Sequence, residues 1–125
     1  MSLQDADALV ESWIALHKSE HASPEYQRYF WAFNLLCDLV NTKPAAAWEI
    51  ILEILRRDQS DRIYENLSAG PLEDLLANHG PEFIAKVEAR ALVDPAFREL
   101  LGGVWRNAIR QDVWDRLEAA RGETW

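Results

Sequence analysis

The chain has 125 residues, which fits one domain with a sizeable core, and its 49% hydrophobic and 27% charged content is typical of a globular protein rather than a disordered one. The net charge of −8 disfavours nucleic-acid binding, because contacts to phosphates require a basic surface, and favours a protein partner that is itself basic. Cys37 is the only cysteine, so no intramolecular disulfide can form, and without a signal peptide or a bilayer-length apolar run we expect a cytoplasmic protein that does not enter membranes.

The first forty residues predict two helices. Between residues 5 and 19 the apolar residues recur at the spacing of one helical face. Ser23 is then a good N-cap and Pro24 a good first residue for a second helix, which we expect to run to about Val40. Its inner side is predicted to consist of Tyr26, Tyr29, Phe30, Phe33, Cys37 and Val40.

Trp31 is the unusual residue of this second helix, because its face is otherwise polar. A large aromatic side chain among polar neighbours is typical of an anchor for a partner protein. The alternative is a central helix that is covered on both sides, with Trp31 buried inside the domain. The candidate partner-binding residues are Gln27, Trp31, Asn34 and Asp38.

In the middle of the chain, prolines and glycines mark several short helices. The segment 41–44, which ends in a proline, starts a third helix with a wide apolar arc. Ser60 caps a short helix that Gly70 ends. Pro71 then opens a helix over Leu72–Asn78 that Gly80 closes, and Pro81 opens another.

The last third continues the same pattern. Asp94 followed by Pro95 predicts a capped helix start, and Gly102-Gly103 predicts its end. A final helical segment holds Trp105 at its start and stops at Gly122. No segment shows strand alternation. The sequence therefore predicts an all-α fold, a compact stack of seven or eight short antiparallel helices, either a bundle or a short solenoid, in a single domain of residues 1–125.

The chain resembles an uncharacterised bacterial family of helical domains from about residue 13 to residue 117. The motifs that carry the resemblance lie between Trp48 and Trp105: Ala47-Trp48-Glu49-Ile50-Ile51, Gly70-Pro71-Leu72-Glu73-Asp74-Leu75-Leu76, His79-Gly80, Asp94-Pro95-Ala96-Phe97 and Gly103-Val104-Trp105. The family has no assigned activity, so the resemblance implies a helical bacterial domain and nothing catalytic.

Two groups of residues are candidates for chemistry. His17 and His21 with Glu20 match the His-x-x-Glu-His zinc pattern, although His17 also continues an apolar stripe and is expected to pack near Trp13.

Glu73, Asp74 and His79 form a candidate polar pocket, although all three cannot share one helical face. The competing interpretation is that the acids favour the helix N-terminus and the histidine its C-terminus.

These observations favour a non-catalytic protein-interaction module, in its most concrete form an immunity- or inhibitor-type protein that binds a basic bacterial partner. The alternative function is a small enzyme or ligand-binding domain that uses Glu73, Asp74 and His79, or a metal site at His17 and His21. We expect no cofactor and no bound metal.

Overall fold

Seven α-helices and one π-helical turn make up the computed structural model, which describes residues 1–125. They are α1 (Leu3–Lys18), α2 (Pro24–Thr42), α3 (Pro44–Arg57), α4 (Asp61–Leu67), the π turn (Ser68–Leu72), α5 (Glu73–Val93), α6 (Pro95–Leu101) and α7 (Gln111–Ala120). There is no strand, so the prediction of an all-α bundle is confirmed. Because α4, the π turn and α5 follow one another without a break, the uninterrupted helical runs number six, fewer than the seven or eight predicted.

Two of the predicted helix starts have the expected caps. The Ser23 hydroxyl accepts a hydrogen bond from the backbone N–H of Tyr26 at 3.1 Å, and Pro24 is the first residue of α2. The Asp94 carboxylate accepts bonds from the N–H groups of Ala96 and Phe97 at the start of α6. These side chains satisfy N–H groups that have no partner within the helix.

Two other predicted starts differ in detail. Ser60 precedes α4, but its hydroxyl makes no capping bond and is buried without a partner. Residues 41–42 belong to α2 rather than to the start of α3, which Lys43 precedes without a side-chain cap. At the first of these starts the Asp58 carboxylate instead accepts a hydrogen bond from the Ser60 backbone N–H at 2.9 Å.

The segment from residue 61 to residue 93 corrects the prediction that Gly70 ends one helix and Gly80 another. Gly70 and Pro71 lie inside the π turn, whose wider spacing accommodates a proline that has no N–H to donate. The expected break comes at His79, whose φ of −136° and ψ of 25° kink α5 one residue before Gly80. A restart at Pro81 is thus present as a kink rather than as a separate helix.

Helix α3 lies at the centre of the bundle. It contacts α1, α2, α4, the π turn, α5 and α6, and six of its residues are buried. Trp48 packs against Phe83 of α5 and against Phe97 of α6, with ring centroids 6.0 Å and 5.5 Å apart. One cluster of 30 buried residues runs through all the α-helices.

Helix α2 is oriented differently from the prediction. Its buried residues are Ala32, Leu36, Leu39 and Val40, whereas Phe30 and Phe33, which we expected inside, are exposed. The reason is that neighbouring helices cover only the side of α2 that carries these four buried residues. None of the helices combines the length and apolarity needed to cross a membrane.

The C-terminal segment also differs from the prediction. Residues 102–110 are not helical, so Trp105 lies in a loop, 70% exposed, and the last helix begins only at Gln111. The tail after α7 returns to this loop. The backbone N–H of Trp125 donates a hydrogen bond to the Gly102 carbonyl at 3.1 Å, and its indole N–H donates one to the Glu99 carbonyl at 2.7 Å. A side chain at Gly103 would lie 2.4 Å from the Trp125 ring and 2.5 Å from the Ser68 hydroxyl, so the glycine makes room for both.

Replacing Gly103 by alanine should therefore displace Trp125 or the Ser68 side chain and lower the free energy of unfolding by about 1–3 kcal/mol, the usual cost of overpacking. Gly70→Ala is the matched control, because nothing lies within 4 Å of a Cβ built at Gly70. In a helical turn this change should raise the free energy of unfolding by about 0.5–1 kcal/mol. Urea titrations followed by circular dichroism at 222 nm measure both, and equal effects of the same sign would contradict the role given to Gly103.

Candidate functional site

The outer surface of α2 carries the densest group of exposed aromatic side chains in the structure. Phe30, Trp31 and Phe33 are 37%, 43% and 38% exposed, within a single helical turn. Gln27, Asn34 and Asp38 are also exposed. The structure therefore places all four sequence-predicted contact residues on the surface, and of the two alternatives for Trp31 it has the exposed one.

The aromatic side chains on one edge of α2 form a continuous ladder. It runs from His21 to Tyr26 at 4.6 Å between ring centroids, on to Phe30 at 5.8 Å and then to Phe33 at 5.3 Å. Aromatic pairs at these separations attract one another. The ladder is thus held in place before any partner arrives, which reduces the conformational entropy that a contact would cost.

Trp31 lies on the opposite edge of α2, where it forms one wall of a cleft of about 430 Å³. The cleft lies between the first turns of α1, the second half of α2 and the start of α3. Its remaining lining consists of Met1, Asp5, Ala8, Leu35, Asp38, Leu39, Thr42, Lys43 and Ala46. We call this the Trp31 cleft. It has an apolar floor, and Asp5, Asp38 and Lys43 are its ionised side chains.

The first two helices carry an excess of unpaired negative charge. Residues 1–40 contain six acidic and two basic side chains. Of these, Asp7 pairs with Arg57 of α3, and Lys18 pairs with Asp58. The carboxylates that remain without an ion-pair partner are Asp5, Glu11, Glu20, Glu25 and Asp38. Arg28 is the one unpaired base there, and it lies over the Tyr29 ring.

The candidate polar pocket of Glu73, Asp74 and His79 does not close around a common point. The Asn107 amide donates to the Glu73 carboxylate at 3.1 Å, which ties α5 to the loop before α7. The His79 Nε2 bonds the Val40 carbonyl of α2 at 2.8 Å. The Asp74 side chain is exposed overall, but the surrounding protein partly desolvates its carboxyl, and this desolvation and the neighbouring Glu73 raise its pKa. Two of the three side chains thus connect α5 to other elements.

The two histidines of the zinc pattern also belong to different contacts. His17 packs on Trp13 as expected, with ring centroids 4.1 Å apart, and its Nε2 is buried without a hydrogen-bond partner. His21 is exposed and packs on Tyr26. No group of three or more His, Cys, Asp or Glu side chains has an arrangement that could hold a metal ion.

Two features of the exposed side of α2 were not predicted from the sequence. Phe30 and Phe33 were predicted to be buried, although five aromatic residues between positions 26 and 33 are more than one helical face can bury. This excess of aromatic residues could have indicated that some of them lie on the surface. Asp5 was not linked to Trp31 at all, because they are far apart in sequence and only the packing of α1 on α2 brings them to one cleft.

A larger cavity, of about 610 Å³, lies between α4, α6 and the C-terminal tail. Its polar rim includes Glu65, Arg98 and Glu99, and the T-shaped pair of Tyr64 and Trp125 forms its aromatic part. The tail itself is one wall of this cavity, and Trp125 is bonded to α6 across it. It shares no residue with the Trp31 cleft.

Residues 19–124 match a family of unknown function, DUF6869, and the chain belongs to that family. The match begins directly after α1 and includes α2 with its aromatic surface. Neither the curated proteins nor the solved structures contain a match to the chain.

His17 makes the stability of the fold depend on pH. Burial lowers its pKa from 6.5 to about 4, so the folded protein holds the neutral ring. Its contribution to stability is complete above pH 6.5, and it is lost as the pH falls toward 4, because the unfolded chain then binds a proton that the folded chain does not.

We therefore expect the free energy of unfolding to fall between pH 6.5 and 5, before most carboxylates titrate, and His17→Gln to flatten this slope. His21→Gln is the control, because His21 is exposed. Urea titrations at half-unit pH intervals measure both variants. A wild-type slope that His17→Gln leaves unchanged would show that another group is responsible.

Proposed function

We propose that this member of DUF6869 is a non-catalytic protein-interaction module that binds a basic protein through the exposed side of α2. The observation that carries the proposal is the run of three exposed aromatic side chains, Phe30, Trp31 and Phe33, within a single turn of α2. Monomeric proteins rarely expose a cluster of aromatic side chains, and aromatic side chains are enriched in protein–protein interfaces.

The arrangement supports an interface with a polar crest and two aromatic edges. The crest is the outermost line of α2, and it carries the exposed polar residues Gln27, Asn34 and Asp38. Trp31 lies on one edge of α2, and the Phe30–Phe33 pair lies on the other. Tryptophan side chains in such positions supply much of the binding energy of protein complexes, while the surrounding polar groups exclude water and set the orientation. A helix or loop that straddles α2 would contact both edges at once.

Charge supports a basic partner. Unpaired carboxylates lie on α1, on α2 and in the turn between them, with Asp5 and Asp38 beside Trp31, and they would attract cationic side chains and repel acidic ones. Long-range attraction of this kind chiefly increases the association rate, and it weakens as salt screens the charges. The same acidity disfavours nucleic acids as ligands.

The most concrete form of this function is an immunity- or inhibitor-type protein that neutralises a basic bacterial toxin. Small size, acidity and an aromatic anchor on a rigid helix support this form. A single half-buried cysteine fits a reducing compartment, so we place the module in the cytoplasm.

The test begins with a photo-reactive amino acid at position 34 of α2, and at position 115 of α7 as a control, in the native cells. The protein cross-linked at position 34 alone is then purified, and its affinity for the full-length chain is measured by calorimetry. Trp31→Ala should lower that affinity by about tenfold or more, the effect of an interface hot spot.

Trp105→Ala is the matched control, because Trp105 is also an exposed tryptophan but lies in the loop before α7. We expect it to leave the affinity unchanged. Both substitutions should change the free energy of unfolding by less than about 1 kcal/mol, as is usual for surface positions. Equal affinities of wild type and Trp31→Ala for the partner would refute the proposed interface.

A further inference from the structure

We propose that the Trp31 cleft receives an arginine side chain of the partner. This inference rests on the proposed function and adds to it the chemical identity of the group that anchors the complex. The cleft lies on one edge of the exposed surface of α2, and its floor, wall and rim correspond to the two parts of an arginine side chain, the aliphatic stem and the guanidinium group.

The floor of the cleft corresponds to the aliphatic stem. Leu35, Leu39 and Ala46 supply apolar surface at the junction of α2 and α3. Arginine buries its three methylene groups along such surfaces and keeps its charged head at the rim. A short polar side chain would leave this floor in contact with water.

The wall and the rim correspond to the guanidinium group. The face of an indole ring attracts a flat cation, and a guanidinium stacks on it more readily than an ammonium does. Trp31 is 43% exposed, so its ring is available for such a contact. Asp5 and Asp38 line the same cleft, and neither carboxylate has an ion-pair partner within the chain. Carboxylates accept the paired N–H groups of arginine, which favours arginine over lysine.

Lys43 is the basic side chain of the cleft and opposes this attraction. It forms no ion pair with Asp5 or Asp38. Removing its charge should therefore strengthen the binding of a cation, whereas removing the charge of Asp38 should weaken it. Opposite effects of two neighbouring substitutions distinguish charge recognition from a general loss of structure.

The probe is the blocked tripeptide acetyl-Gly-Arg-Gly-amide, titrated into the ¹⁵N-labelled full chain. The chain has six tryptophans, and their indole N–H signals report on six separate places, with Trp31→Phe assigning the one of interest. We expect the Trp31 signal to shift saturably at millimolar peptide, the range for one anchored side chain. The same peptide with citrulline, which is isosteric but uncharged, should leave that signal in place.

The variants make the test quantitative. Asp38→Asn should weaken binding of the arginine peptide by about threefold, and Lys43→Gln should strengthen it by about twofold, as expected for partly exposed charges. Asp115→Asn is the matched control, since Asp115 is an exposed acid on α7, far from the cleft in sequence and outside its lining. It should leave the affinity unchanged.

Failure of this inference differs from failure of the proposed function. If the cross-linked partner depends on Trp31 but the arginine peptide leaves the Trp31 signal unmoved, the interface stands and the arginine assignment is wrong. Equal shifts with the arginine and citrulline peptides would overturn it as well. If Trp31→Ala leaves the affinity for the partner unchanged, the proposed function is wrong, whatever the result with the peptide.

Discussion

The packing of the bundle follows from the need to bury α3. This helix is apolar over most of its circumference, and water is excluded from it only if other helices surround it. Trp48 makes the arrangement specific, because its ring packs on both Phe83 and Phe97 and so joins three helices at one point. Each large side chain buried in this way contributes about 1.5–3 kcal/mol to the free energy of unfolding. The surrounding helices turn their apolar faces toward α3 and leave their polar faces in solvent.

The surroundings of α3 explain why α2 is available for binding. Helix α2 contributes Leu36 and Leu39 to the core, but its neighbours cover only that side. The contact from His79 of α5 to the Val40 carbonyl holds the C-terminal end of α2 in place. The aromatic residues of its other side have nothing left to pack against except one another. An exposed surface of this kind costs solubility in an isolated protein, so its presence favours a partner.

The net negative charge is unevenly distributed along the chain. After residue 40, five of the fifteen acidic side chains pair with arginines, among them Glu53 with Arg56 and Arg57 and Glu88 with Arg116. The arginine beside Glu53 lowers the pKa of that carboxyl to about 2. Residues 1–40 carry six acidic and two basic side chains, and the rest of the chain carries fifteen and eleven, so about a third of the chain holds half of the net charge of −8. Asp5 and Asp38 bring part of this charge to the Trp31 cleft.

The fold class and most helix starts could be predicted from the sequence, because proline, Ser23 and Asp94 act on the backbone within one turn and need no distant partner. It also predicted that His17 packs on Trp13, a contact one helical turn apart. The tertiary structure alone decided that α4 and α5 continue through Gly70, that Phe30 and Phe33 lie outside, and that Asp5 meets Trp31 in one cleft. These features depend on which faces neighbouring helices cover, and the periodicity of a single helix shows an apolar arc without showing what packs on it.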